Sequence, residues 1–232
     1  CSDMKNILLL ALLALSSCVS AQDSLKVSFL GDSYTTFEGY CSPSTNHIWY
    51  HKGGHCAEND VKSVEETWWY QVVDSLGAKL EINNSFSGST ISCLGYRGED
   101  FSDRAFITRM YNLGKPDLIL VCGGTNDSWA GVPVGEYRYE GATKKDFYTF
   151  RPAMAYLLRQ MKMFYPQSRI IFILNSELRP EINESVLTIC EHYDVECLCL
   201  KDIEKGYGHP SVAGMRAFAG QVLRQIRGQK SE

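Results

Sequence analysis

Five short apolar runs punctuate this chain, and between them lie stretches whose apolar residues recur at helical spacing. The runs are Leu25 to Leu30, Lys79 to Asn83, Leu118 to Val121, Arg169 to Leu174 and Val195 to Leu200. Leu118-Ile119-Leu120-Val121 contains no polar residue, the pattern of a strand buried on both faces. Helices are predicted over Val64 to Leu76, Asp103 to Tyr111, Met154 to Phe164, Glu181 to Tyr193 and Val212 to Ile226. Strands alternating with helices build a parallel sheet covered on both sides, because each crossover must pass over a face of the sheet. The expected fold class is therefore α/β. In such sheets ligands gather beyond the carboxyl ends of the strands. Two segments fit neither pattern, residues 38–62 and 128–147, and both are read as insertions.

A length of 232 residues with 44% hydrophobic content suits one sizeable domain, expected over residues 22–232. The formal charge of −4 and the lack of any Lys/Arg cluster argue against nucleic acid as a partner. Single basic residues such as Arg104 and Arg109 read as a solvated helix face. At the N-terminus, Lys5 precedes the apolar run Ile7 to Leu15, too short to span a bilayer but suited to a signal peptide over residues 1–21. Cys1-Ser2-Asp3 precedes the first methionine, Met4, and is set aside from the fold. Val19-Ser20-Ala21 is a small-residue cleavage site, which implies export to a periplasmic or extracellular space. Leu15-Ser16-Ser17-Cys18 resembles a bacterial lipobox; lipid on Cys18 would make an outer-membrane lipoprotein and is the one route to a membrane.

Of the nine cysteines, seven follow Ala21, and export permits disulfides. Cys41 and Cys56 are the leading candidates for a bridge, Cys190 is placed to meet Cys197 or Cys199, and Cys122 reads as a buried thiol within a strand. His47, His51, His55 and Cys56 fall together without a structural zinc spacing, so they read as loop residues, and no metal or cofactor is expected.

Three polar motifs stand out, and the first two directly follow predicted strands: Gly31-Asp32-Ser33, Gly123-Gly124-Thr125-Asn126-Asp127, and Gly208-His209-Pro210 near the end. Each alone is weak, since Gly, Asp, Asn and Ser all favour turns and caps. In this order on a βαβ pattern they offer a serine nucleophile, donors for an oxyanion and a histidine base, the parts of an acyl-transfer site. Gly88, after the second strand, adds a backbone donor at the same sheet edge, where a Cβ would hinder close approach to a substrate. Asp32 and Asp127 are expected to brace turns.

On these motifs the chain resembles the SGNH (GDSL) hydrolase family over essentially its whole length after residue 21, the insertions matching least. The resemblance implies a flavodoxin-like α/β/α sandwich with parallel strands ordered 2-1-3-4-5. It also implies roles: Ser33 as nucleophile, His209 as base, and an oxyanion hole from the Ser33 N–H, the Gly88 N–H and the Asn126 amide. One position departs. The family places the triad acid three residues before the histidine, where this chain has Gly206. Asp202 is the favoured substitute, with Glu204 and Glu177 as alternatives, and a backbone carbonyl would leave a Ser–His dyad.

The resulting expectation is a serine esterase acting on a small-molecule or glycan ester. Carbohydrate O-acetyl groups are favoured, because the insertions are aromatic and polar (Trp49, Tyr50, Trp129, Tyr137, Tyr139) and no apolar stretch would line a lipid tunnel. The alternatives are a lipase- or thioesterase-like acyl hydrolase, or a non-catalytic glycan-binding protein on a decayed scaffold.

Overall fold

Side chains alternate along a strand, so a strand buried throughout must feed two cores at once. In the computed structural model, which describes residues 24–228, this is what the central strands do. Strand β3 (Leu118–Cys122) sends Leu118, Leu120 and Cys122 into one apolar cluster and Ile119 and Val121 into the other. Strand β4 (Arg169–Leu174) divides in the same way: Ile171 and Ile173 to the first, Ile170, Phe172 and Leu174 to the second. With β1 (Lys26–Gly31), β2 (Lys79–Ser85) and β5 (Glu196–Cys199) they form a parallel sheet in the order β2-β1-β3-β4-β5, as the family resemblance implied.

The first cluster is closed by α1 (Trp68–Ser75) and α6 (Val212–Ile226). Trp68 stacks on Phe218 with ring centroids 4.2 Å apart, and its indole N–H donates to the Tyr34 carbonyl at 3.0 Å. Burial of a ring the size of Phe218 contributes about 1.5–3 kcal/mol. The second cluster lies under α2 (Phe106–Arg109), α4 (Phe150–Phe164) and α5 (Pro180–His192). Helix α4 starts four residues before its predicted Met154, because Pro152 sits in its first turn, where a missing N–H costs nothing.

Two elements depart from expectation near the site. The Asn126 motif opens a short helix, α3 (Thr125–Trp129), and the Gly206–His209 segment is a hairpin of β6 (Lys205–Gly206) and β7 (His209–Pro210). All seven described cysteines are free thiols. Cys41 is buried close to the backbone of Phe37 and Ser85, whereas Cys56 lines an outer groove with Gly53 to Lys62, so the expected bridge between them is not formed. The signal segment, its cleavage site and Cys18 lie outside the described residues.

Candidate active site

At the carboxyl edge of the sheet Gly31 lies in register between Ser85 and Cys122. A Cβ on Gly31 would stand 2.6 Å from Thr35 Cβ and 2.7 Å from Ser85 Oγ, so only glycine fits this crowded strand end. Ser33 opens a single 3-10 turn, Ser33–Thr35, capped by Asp32, whose Oδ1 accepts the Tyr34 N–H at 3.1 Å. Complete burial pushes the Asp32 carboxyl up to about 7. The turn aims the Ser33 hydroxyl at His209, with Oγ and Nε2 2.9 Å apart, and both residues are buried.

The expected donors lie in the segments that follow β1, β2 and β3 at the same sheet edge. Among the described residues, neither the Ser33 N–H nor the Gly88 N–H has an acceptor. Gly88 holds φ +82°, a left-handed backbone that favours glycine. Asn126 sits one residue into α3, after Gly124 at φ +92°. Its Nδ2 donates one hydrogen to Ser89 O at 3.0 Å, and its Oδ1 accepts the Tyr96 hydroxyl at 2.6 Å. That phenol fixes the amide's orientation and leaves the second Nδ2 hydrogen free. Asp127 accepts the N–H groups of Ile91 and Ser92 at 2.7 and 3.1 Å, which ties the loop after Gly88 to α3.

Arg109 is not on a solvated face. It is buried behind the strand ends, donating to Arg104 O at 2.7 Å, Gly31 O at 3.1 Å, Ser89 Oγ at 2.8 Å and Asn84 O. Burial lowers its guanidinium to about 9, opposed by the nearby Asp32 carboxylate. Turned inward, its guanidinium fork joins the end of β1 (Gly31 O, which also accepts the Phe86 N–H at 3.1 Å) to the end of β2 (Asn84 O) and to the Ser89 hydroxyl. Arg104 is half-buried, its guanidinium 4.4 Å from the Phe101 ring centre.

The ring of His209 is oriented by main chain. Tyr207 (φ 51°) and Gly208 (φ 73°) form the tip of the β6–β7 hairpin, both left-handed as in the tightest hairpin turns. This turn folds the Tyr207 carbonyl back to 3.0 Å from His209 Nδ1. A carbonyl only accepts, so Nδ1 carries the proton and Nε2 presents its lone pair to the Ser33 hydroxyl. Burial lowers the imidazole to about 4; the Tyr207 bond works the other way, and His55 and Lys205 lower it further.

Among the described residues, no carboxylate bonds this ring. Asp202 is exposed and lines a groove with Arg216, Gln221 and Arg224. Glu204 accepts the Ser211 hydroxyl at 2.5 Å, at the start of α6. Glu177, itself exposed, pairs with the mostly buried Lys205 at 2.8 Å. The structure thus brings none of the three expected acids into a bond with the imidazole, and Gly206 explains why its own position holds none: a Cβ there would lie 2.0 Å from the backbone oxygen of Glu58. The first insertion occupies that space. Its Asn59 side chain donates to Gly206 O, His209 O and Pro210 O at 3.1–3.3 Å. Tyr34 and Tyr50 hydroxyls bond Gly208 O and Pro210 O at 2.6 and 3.0 Å.

The aromatic residues of the insertions divide. Trp49 stacks on His209, centroids 3.6 Å apart and planes 7° from parallel. Trp129 meets the same ring edge-on at 6.1 Å and is 46% exposed, and Tyr207 is 67% exposed. Tyr139 stacks on His192 and Tyr137 lies under Arg151, so those two brace α4 and α5 instead of rimming the site. Among the described residues, no three His, Cys, Asp or Glu side chains gather as a metal site, and no helix is long and apolar enough to cross a membrane.

The family model described as GDSL-like lipase/acylhydrolase matches residues 25–226. The chain belongs to that family. This GDSL-like acylhydrolase is similar to two solved Bacteroides proteins labelled GDSL-like lipases. With the one from Bacteroides ovatus it shares 52% identity at a TM-score of 0.88, over 90% of this chain and 100% of the other. For the one from Bacteroides uniformis the values are 54% and 0.87, over 89% and 97%. An acetyl xylan esterase from the rumen bacterium Butyrivibrio proteoclasticus shares the fold at 19% identity and a TM-score of 0.59, over 89% of this chain and 64% of that one. No curated protein matches. As a GDSL-like acylhydrolase the protein hydrolyses ester bonds.

Proposed function

We propose that this acylhydrolase is a serine esterase that removes small acyl groups, above all O-acetyl groups of carbohydrates, through an acyl-enzyme on Ser33. The observation that carries the reading is the 2.9 Å contact between Ser33 Oγ and the unprotonated Nε2 of His209. In the first step Ser33 Oγ attacks the ester carbonyl while its proton passes to Nε2. The carbonyl oxygen becomes an oxyanion facing the Ser33 N–H, the Gly88 N–H and the free Asn126 Nδ2 hydrogen. The imidazolium then gives its proton to the leaving alcohol, and water activated by the same Nε2 releases the acyl group. The Tyr207 carbonyl does the orienting that a triad acid does elsewhere, so the catalytic pair is a dyad.

Exposed Trp129 and Tyr207 flank His209 and offer the flat apolar faces on which a sugar ring packs, which supports a carbohydrate alcohol over a long acyl chain. The signal-like N-terminal run supports an exported enzyme, where polymeric glycans are met. The test compares wild type with Ser33→Ala on p-nitrophenyl acetate and on an acetylated xylo-oligosaccharide. Turnover lost in the variant and higher kcat/KM on the sugar acetate are expected. No serine-dependent turnover from folded protein would instead favour a glycan-binding protein.

A further inference from the structure

A histidine base without a carboxylate still has to carry a full positive charge in each transition state. A carbonyl at Nδ1 fixes the tautomer but adds only a dipole. The ring packed most closely against the imidazole is the Trp49 indole, centroids 3.6 Å apart. We propose that Trp49 supports the Ser33–His209 dyad as a positioning residue whose indole face holds the His209 plane and stabilises the imidazolium as it forms. The inference rests on the esterase reading for its catalytic consequence, not for its geometry.

Three observations carry it. The indole and imidazole are stacked face to face at 3.6 Å and 7°, well within the distance at which a cation gains from an aromatic face. Trp49 is tied to the nucleophile's own turn: its N–H donates to Thr36 Oγ1 at 2.9 Å, and that hydroxyl donates to Ser33 O at 3.0 Å. Lastly, the insertion that supplies Trp49 also supplies the Glu58 oxygen that bars an acid from position 206. One segment both removes the usual partner and provides another. As the Ser33 proton moves from Oγ to Nε2, the new charge lies over the indole while Tyr207 O continues to accept from Nδ1. The other groups facing the ring are the Tyr34, Tyr50 and Trp129 side chains, with His55 and Lys205 as the nearby bases. His55 packs on Trp49 as well, at 4.0 Å. None of these supplies a negative charge at neutral pH.

The test replaces Trp49 by tryptophans carrying one to four ring fluorines, which drain the face of negative potential with little change of shape. On p-nitrophenyl acetate, kcat should fall stepwise by roughly 5- to 30-fold over the series, with KM within about twofold. The His209 pKa, followed by NMR in the absence of substrate, should fall in the same order. Trp49→Phe should keep part of the rate that Trp49→Leu loses. Flat kcat and flat pKa across the fluorinated series would overturn the role, whatever Trp49→Leu does to folding. A falling pKa in a protein without serine-dependent turnover would uphold the indole–imidazolium interaction and defeat the esterase reading alone.

Discussion

Gly206→Asp places a carboxylate where the wider family keeps its acid, and motif reasoning alone would expect a better enzyme. The structure predicts a worse one. The new Cβ would stand 2.0 Å from Glu58 O, 3.1 Å from Glu58 C and 3.4 Å from Asn59 Cα. An ordinary carbon–oxygen contact is about 3.3 Å or more, so the Glu58–Asn59 backbone must retreat by roughly 1.3 Å. The three Asn59 Nδ2 bonds, already 3.1–3.3 Å long, would break with that retreat. Overpacking costs about 1–3 kcal/mol and each of the three lost bonds about 0.5–1.5 kcal/mol, which together give a loss of roughly 5 kcal/mol. For a domain of this size that lowers Tm by about 10–20 °C. Loosening the hairpin also frees the Tyr207 carbonyl from Nδ1, so kcat should fall with Tm. Gly206→Ala, with the same Cβ and no charge, should lose nearly as much. The measurements are thermal melts and p-nitrophenyl acetate kinetics on both variants. A Gly206→Asp protein that melts within about 2 °C of wild type and turns over faster would refute the steric account.

Further outcomes follow from the same geometry. With the His209 imidazole lowered to about 4, Nε2 keeps its lone pair down to that pH; the acid limb of kcat/KM should sit near 4, and a limb near 6.5 would mean that water reaches the ring. Asn126→Ala should lower kcat by about 100- to 1000-fold, while Tyr96→Phe, which only frees the amide to rotate, should cost about 10-fold with KM little moved. Asp32 holds in the folded state a proton that the unfolded chain releases above 3.8, so its stabilisation is complete below 3.8 and lost as pH rises through about 7. Asp32→Asn should therefore gain on wild type with rising pH, by roughly 3–4 kcal/mol between pH 4 and 8 in urea unfolding. A gap that does not change with pH would place the carboxyl in contact with water.

The strands were legible because burial on both faces leaves unbroken apolar runs, and β4 matches its predicted bounds, Arg169 to Leu174. The three motifs were legible because turn residues at strand ends carry local signals, and the sheet order then brings Ser33, Gly88 and Asn126 to one edge. What sequence reasoning missed depends on distant partners. Arg109 belongs to a helix of only four residues, too short to show a face, and besides Arg104 O its acceptors lie far off at residues 31, 84 and 89. Trp49 sits in an insertion without periodicity and meets a ring 160 residues further on. Tyr96 comes from an irregular loop. One missed feature did have a signal: Tyr207-Gly208 beside the histidine fits a two-residue hairpin, and reading it so would have pointed to the carbonyl instead of Asp202.

The carbonyls of residues 206 to 210 are each engaged, by Asn59, His209, Tyr34 and Tyr50. A carboxylate that steers a base is a side chain: one codon change deletes it, and acid neutralises it. The Tyr207 carbonyl is exposed to neither hazard, since every amino acid brings the same oxygen and no accessible pH protonates it. Position 207 is thereby released from the chemistry that the family's acid position must obey; its exposed side chain answers only to the left-handed backbone of the turn, at φ 51°.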